Sequence, residues 1–267
     1  MTPLTSSNPA WRLLMGGMND AYLNMAVDEA IMRLHKQIGI PTIRLYGWEP
    51  AAVSIGCFQS IEDEIYVDRC ERMGIEYVRR ITGGGAVFHD KEVTYSLVMS
   101  EDDIDKSIPR SYEKICAGVI LGLRMLDIAA EFSSINDIMV KGRKISGNAQ
   151  TRRDGVLLQH GTVLLDIDEE KLSAVLRISS EKIKGKGVSS VVKHLTSVMY
   201  ETGHADFDQV ADCLARGFER AFGIRLVQGY LKKEEIDLAK ELLWDRYLNQ
   251  DWIFKRKFSY SLIIVRR

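Results

Sequence analysis

Apolar positions recur along this chain with two periods, and the changes from one to the other divide it into elements. From Asp20 to His35, the residues Leu23, Val27, Ala30, Ile31 and Leu34 share one helical stripe. Asn19 or Asp20 stands where a side chain can accept the orphan amides of the first turn. Asn24, Asp28 and Glu29 are the polar residues of this helix and read as a solvated face. Thr42–Tyr46 then alternates as a strand does, Gly47-Trp48-Glu49-Pro50 breaks it, and Ala52–Ile55 is a second strand. Helical spacing over Glu62–Met73 leads into an extended Ile75–Val78.

Thr94–Met99 alternates again and reads as a half-buried strand. Pro109 precedes a helix whose stripe is Tyr112, Ile115, Cys116, Val119, Ile120, Leu123 and Leu126. Cys116 sits in that stripe and reads as a small core residue. Ile138–Val140 and Lys144–Ser146 form a hairpin about Lys141-Gly142. Gly155–Leu165 is a long extended run interrupted by His160-Gly161, and a glycine inside a strand marks a bulge or the approach of a ligand. Glu169–Leu176 is a short helix; Asp206–Phe222 and Glu234–Leu248 are amphipathic ones. Lys182–Ser190, basic and rich in glycine, is either a mobile loop or a flap over a bound nucleotide. Tyr260–Val265 reads as a strand or a docked tail. No repeat and no linker interrupts residues 1–267, so a single domain of mixed strands and helices is expected.

Composition narrows the classes. A net charge of -1 over 267 residues argues against a nucleic-acid surface made by bulk charge. Four cysteines without Cys-x-x-Cys pairs suit reduced thiols rather than a disulfide framework or a zinc site. Met1–Trp11 lacks the order of a signal peptide, and no apolar run is long enough to span a bilayer. A cytoplasmic location, with neither nucleic acid nor membrane as partner, is expected.

Two stretches carry candidate chemistry. In Arg79-Arg80-Ile81-Thr82-Gly83-Gly84-Gly85-Ala86-Val87-Phe88-His89-Asp90, three glycines let another molecule approach the backbone amides, and two arginines stand beside them. That combination suits an anion. It matches neither a P-loop nor a dinucleotide fingerprint. The second stretch, Asn136-Asp137-Ile138 to Gly142-Arg143-Lys144-Ile145-Ser146-Gly147, brings Asp137 near Lys144 across the hairpin. A carboxylate able to hold Mg²⁺ beside an ammonium able to meet an acyl or phosphoryl oxygen is one reading; an ordinary cross-strand ion pair is the other.

Together the two stretches resemble the lipoate-protein ligase A family, within the biotin and lipoate ligase superfamily. Asn24-Met25-Ala26-x-Asp28-Glu29, Gly56-x-Phe58-Gln59, His160-Gly161 and the closing Tyr247–Trp252 extend the likeness over Trp11 to about Trp252. The resemblance implies a mixed α/β fold on a largely antiparallel central sheet flanked by helices. It implies ATP, Mg²⁺ and lipoate as ligands. Lipoate would be activated with MgATP to lipoyl-AMP and passed to a lysine of a lipoyl carrier domain, such as a 2-oxoacid dehydrogenase E2 or a glycine cleavage H protein. Lys144 would be catalytic, touching both nucleotide and acyl carboxyl. Arg80, Gly84, Gly85, Ala86, Val87, Phe88 and His89 would contact the nucleotide, with Asn136 and Asp137 positioning ribose, phosphate or magnesium. Phe58, Gln59, His160 and Gly161 would shape the lipoyl pocket, helped by Val87 and the Leu157-Leu158 strand.

The alternative on the same fold is an octanoyl or lipoyl transferase that works between carrier proteins without ATP and uses a cysteine nucleophile. Phe132–Asp137 holds no cysteine, which leaves Cys57 as its candidate. A non-enzymatic carrier-binding protein is weakened by the presence of Arg80, the glycines and Lys144 together. Longer family members continue into an accessory domain that Phe254–Arg267 is too short to supply. A separate accessory subunit, a ready-made adenylate, or both steps performed by this chain alone are therefore the expectations.

Overall fold

The chain enters its fold on a strand that its hydrophobic pattern does not announce. β1 (Ala10–Asn19) pairs in parallel with β2 (Thr42–Trp48), and α1 (Ala21–Ile38) crosses between them. The computed structural model describes residues 8–133, 135–177 and 193–255. α1 begins where expected, because Asp20 Oδ1 accepts the Leu23 amide at 2.7 Å. β3 (Ala52–Ile55), β4 (Glu76–Arg79) and β5 (Val87–His89) form a small sheet in the order β4-β3-β5. The helix expected over Glu62–Met73 is two helices, α2 (Ile61–Glu64) and α3 (Val67–Met73). They are separated where buried Ile65 turns inward and bridges Leu176.

β6 (Glu92–Ser100), α4 (Ile108–Arg124), β7 (Glu131–Ser133), β8 (Asp137–Val140), β9 (Arg143–Arg153) and β10 (Val156–Leu164) follow. After α5 (Glu169–Val175) come α6 (Val198–Thr202), α7 (Phe207–Phe222), β11 (Arg225–Gln228), α8 (Lys233–Leu242) and α9 (Gln250–Lys255). The large sheet runs β11-β1-β2-β6-β10-β9-β8-β7. Only β11/β1 and β1/β2 are parallel within it; the other neighbours are antiparallel, as the resemblance implied.

Helices cover both faces of this sheet, so β6 is buried on both sides rather than half-buried. Tyr95, Leu97 and Leu157 pack into one core with Ile115 and Val119 of α4 and Leu214 and Phe218 of α7. Val98 and Leu158 point the other way, into a core with Ile31 of α1 and Val53 of the small sheet. Leu157 and Leu158 are thus core residues of opposite faces and not walls of an acyl pocket. Cys116 is buried in the first of these cores, with its thiol pushed up to about 12 by burial.

The polar residues of α1 do not face solvent. Asn24, Asp28 and Glu29 are all buried, because cations from distant elements meet them. Arg44 donates to Asp28 at 2.8 Å and to Asn24 Oδ1 at 2.7 Å. Arg246 donates to Glu29 at 2.5 Å, and the Tyr247 hydroxyl reaches the same carboxylate at 2.6 Å. These two residues lie in a π-helical turn, Leu243–Tyr247, that ends the helix expected to run through Leu248. Lys182–Ser190 and Tyr260–Val265 lie outside the described residues. Among the described residues, no helix is long and apolar enough to cross a membrane.

Candidate active site

The glycine stretch links β4 to β5 and is held from below by Arg80. Its guanidinium is buried, and each of its five N–H groups points at a protein acceptor. Nη2 donates to the Gly83 and Gly85 carbonyls at 2.7 Å, Nη1 to the Ser54 carbonyl and hydroxyl at 3.0 Å, and Nε to Thr82 Oγ1 at 3.1 Å. All these acceptors are neutral, and burial pulls the Arg80 pKa down to about 10. Arg80 therefore shapes the loop, and it is also part of the wall of the cavity that Gly84 and Gly85 line. Arg79 works on the other side, donating to the carbonyls of Gln59 at 2.6 Å and Ile253 at 2.6 Å, which ties α9 to the turn at Gly56–Gln59.

Two histidines complete this clamp. Thr82 Oγ1 accepts from Arg80, so its own hydrogen goes to His160 Nε2 at 2.7 Å. Ser54 Oγ accepts from Arg80 in the same way and donates to His89 Nε2 at 2.8 Å. That leaves the Nδ1–H of His89 to donate to Glu92 at 2.7 Å, while Trp48 stacks on the ring at 3.9 Å. His160 Nδ1 faces Asp28 at 3.4 Å. Burial lowers the His160 pKa, so the ring is neutral. Burial would raise the Asp28 pKa, but the His160 hydrogen bond and the Arg44 charge hold it below the usual carboxylate range. His89 and His160 thus sit in the wall of the site with both ring nitrogens engaged.

The predicted hairpin forms with Lys141 and Gly142 both at positive φ, 49° and 77°. A bulge between Ile138 and Met139 sets Lys144 opposite Met139. Lys144 Nζ then meets Asp137 Oδ1 at 2.7 Å, with the two side chains 36% and 33% exposed. The backbone of Lys144 is fixed separately, by its amide to the His194 carbonyl at 2.7 Å and its carbonyl to the Thr196 amide at 2.9 Å. Asn136 and Asn148 hold the hairpin base, each donating its side-chain amide to the other's carbonyl. Asp137, where magnesium was expected, is paired with the Lys144 ammonium, and no group of three or more His, Cys, Asp or Glu converges among the described residues.

Two cavities, of about 140 and 460 Å³, meet at Lys144. They share Ala86, Val87, Lys144, Gly147 and Thr162 as common wall. The first arm runs over Gly84, Gly85, His89, Asn136, His160 and Gly161 to Met25, Tyr46 and Trp48. The second passes Phe88 and Asp137 into an apolar slot of Met139, Leu164, Leu172 and Leu195. Thus most of the residues picked from sequence converge on one two-armed site. Phe58 does not: it is 78% exposed and lines neither arm. Gln59 closes a turn by accepting the Gly56 amide at 2.8 Å and lines neither arm. Sequence reasoning missed Trp48, Ser54, Asn148 and Thr162. Their motif neighbours were visible, but their own types carry no signal until the fold brings them to the cavity.

Gly56 supports the loop from behind. A Cβ there would stand 2.1 Å from the Gly84 carbonyl oxygen, so the glycine loop would have to shift. Gly56→Ala is expected to cost about 1–3 kcal/mol of stability and to lower activity further than that loss of folded protein explains. Denaturant titration and turnover measured on the same preparation check this; unchanged turnover would show that the loop position is unimportant.

Comparison with known proteins agrees with this site. A family model for the lipoyl protein ligase A/B catalytic domain matches residues 20–219. Octanoyltransferase LipM of Clostridioides difficile is 37% identical, over 92% of this chain and 99% of the relative. Its counterpart from Bacillus subtilis is 33% identical over 92% and 98%. Among solved structures, a bi-partite lipoate protein ligase from Thermoplasma acidophilum superposes with a TM-score of 0.87 at 30% identity, covering 95% of this chain and all of the other. A lipoate-protein ligase A bound with ATP gives 0.81 at 31% identity over 92% and 98%. These findings correct the expected ATP-dependent ligase activity. The curated relatives matched along 92% of the chain are octanoyltransferases, the activity held as the alternative.

Proposed function

This chain belongs to the lipoyl protein ligase A/B catalytic-domain family and is an enzyme of lipoate and octanoate attachment, and from that premise we propose that it is an octanoyltransferase. It takes an octanoyl group from the thioester of a carrier protein and passes it to the target lysine of a lipoyl-accepting domain, without ATP. The observation that carries this reading is the pair of cavities meeting at Lys144. A carrier-bound acyl group is a chain with a reactive carbonyl in its middle. It has an apolar tail on one side of that carbonyl and a long amide-bearing arm on the other. Two arms joined at a cation match that shape.

The first arm can accept the acyl tail because its buried polar groups are paired with one another. Ser54, Thr82, His89, His160 and Arg80 satisfy each other, which leaves Met25, Tyr46 and Trp48 to face an apolar chain. The second arm has an apolar slot of Met139, Leu164, Leu172 and Leu195, suited to the carbon chain of an amide-bearing pantetheine arm. At the junction the Lys144 ammonium lies where the thioester carbonyl becomes an oxyanion, and it stabilises that developing charge. The acceptor is a domain that presents a lysine.

The test is the intact mass of a lipoyl-accepting domain after incubation with this protein in two reactions. One holds octanoyl carrier protein and no nucleotide; the other holds free lipoate or octanoate with MgATP. An octanoyl mass gained in the first reaction is expected. Acylation confined to the second would overturn the proposal, and so would an unmodified acceptor in both.

A further inference from the structure

We propose that a third cavity, between α1, the β9–β10 turn and the π-helical turn, binds a small multivalent anion that carries two or more phosphate or carboxylate groups. This cavity shares no lining residue with either arm of the active site. Its volume is about 370 Å³, within the range of small-molecule sites. Buried Met32, Ile81 and Val156 form an apolar floor. Four cations surround that floor. Arg33 and Lys36 stand three residues apart on one face of α1, Arg153 ends β9, and Arg246 comes from the π-helical turn.

The carboxylates in the same space, Glu29 and Asp154, do not cancel these charges. Glu29 is already shared, accepting from Arg33 Nε at 2.8 Å and from Arg246 Nη1 at 2.5 Å. Lys36 and Arg153 are exposed, and neither side chain has a hydrogen-bond or ion-pair partner among the described residues. Asp102 carries a carboxylate that Lys36 also attracts, but Lys106 holds it at 2.8 Å. Asp154 is thus the one lining acid left to face two cations.

The cations converge in space as well as sharing a cavity. Lys36 Nζ reaches the β9–β10 turn, where a Cβ on Gly155 would stand 3.3 Å from it. Arg246 is lowered in pKa chiefly by its burial; Glu29 opposes that shift, and the charges of Arg33 and Arg153 add to it. Like charges gathered from separate elements repel one another and oppose folding. A multivalent anion removes that cost and draws charge-assisted hydrogen bonds from the guanidinium forks. One anionic group can meet Lys36 on α1 while a second meets Arg153 on β9, which a monovalent ion cannot do. The floor also joins the site to the glycine-loop segment, because Ile81 stands between the clamp residues Arg80 and Thr82.

The experiment uses the full chain with pyrophosphate and citrate as separate probes, which distinguishes a phosphate ligand from a carboxylate one. Binding is read by titration calorimetry and by the thermal midpoint, beside potassium chloride at matched ionic strength. A probe at about ten times its Kd should raise the midpoint by about 3–5 °C. The double variant Lys36→Ala/Arg153→Ala should bind at least about tenfold more weakly. Each midpoint shift is taken from the same variant without probe, so a change in stability does not imitate a loss of binding. Lys144→Ala, which alters the active site alone, should bind both probes as the unsubstituted chain does. Undiminished binding by the double variant, or binding lost in Lys144→Ala, would overturn the proposal. So would a shift that chloride reproduces, or the absence of binding by either probe at millimolar concentration.

Discussion

Lys144→Ala is expected to slow octanoyl transfer by about two to three orders of magnitude while leaving the thermal midpoint unchanged. The size of the effect follows from the position of Lys144 on the wall that the two arms share, with Nζ 2.7 Å from Asp137. A donor aimed at a developing oxyanion acts in the transition state far more than in the ground state, so turnover should fall more than donor affinity. The fold should tolerate the change. The main chain at this position is held by His194 and Thr196, and the side chain is 36% exposed. Steady-state transfer rates beside a melting curve give the comparison. A variant with near-normal turnover would take the junction out of the chemistry.

Glu29→Ala is expected to be the most damaging of these substitutions for stability, at about 3–5 kcal/mol. Glu29 is buried and accepts from Arg246 at 2.5 Å, from Tyr247 at 2.6 Å and from Arg33 at 2.8 Å. Removing it separates a buried guanidinium and a buried hydroxyl from the carboxylate that both donate to. The loss should spread to the active site by a definite route. The π-helical turn that bears Arg246 leads into α9, whose Trp252 and Ile253 carbonyls accept from Arg79 at 3.0 and 2.6 Å. Arg79 in turn donates to the carbonyls of Gly56, Cys57 and Gln59, and the Cys57 amide donates to the Thr82 carbonyl at the start of the glycine loop. Urea denaturation of the variant reads the stability, and a shift under about 1 kcal/mol would show that the C-terminal segment is held by its apolar contacts instead.

How much of the site was legible depends on how local each signal was. The α1 cap at Asp20, the positive-φ turn at Lys141-Gly142 and the meeting of Asp137 with Lys144 each follow from residues a few positions apart, and all three formed as expected. The motif resemblance placed the chain in its family but favoured the wrong branch. The reason is chemical. A cation at an acyl carbonyl and a glycine loop that lets the backbone approach a ligand serve adenylate formation and thioester transfer alike, so those residues do not discriminate between the two. The thiol that would have pointed to the transferase branch was sought at Cys57, which lines neither arm.

By itself, then, the sequence determined the family, the mixed α/β architecture, the hairpin and the meeting of Lys144 with Asp137 across it. Only the tertiary structure decided which polar residues serve the fold and which serve the site. Asn24, Asp28 and Glu29 looked solvated because Arg44 and Arg246, which bury them, stand 16 or more residues away in the chain. Phe58 looked like a pocket wall and is exposed, and Arg80 clamps five loop and strand acceptors that stand on separate elements. A side chain's type limits what it can bond, but its partners are set by strands and loops that meet only when the whole sheet has formed. The two-armed cavity is made entirely of such meetings, which is why no stretch of the sequence showed it.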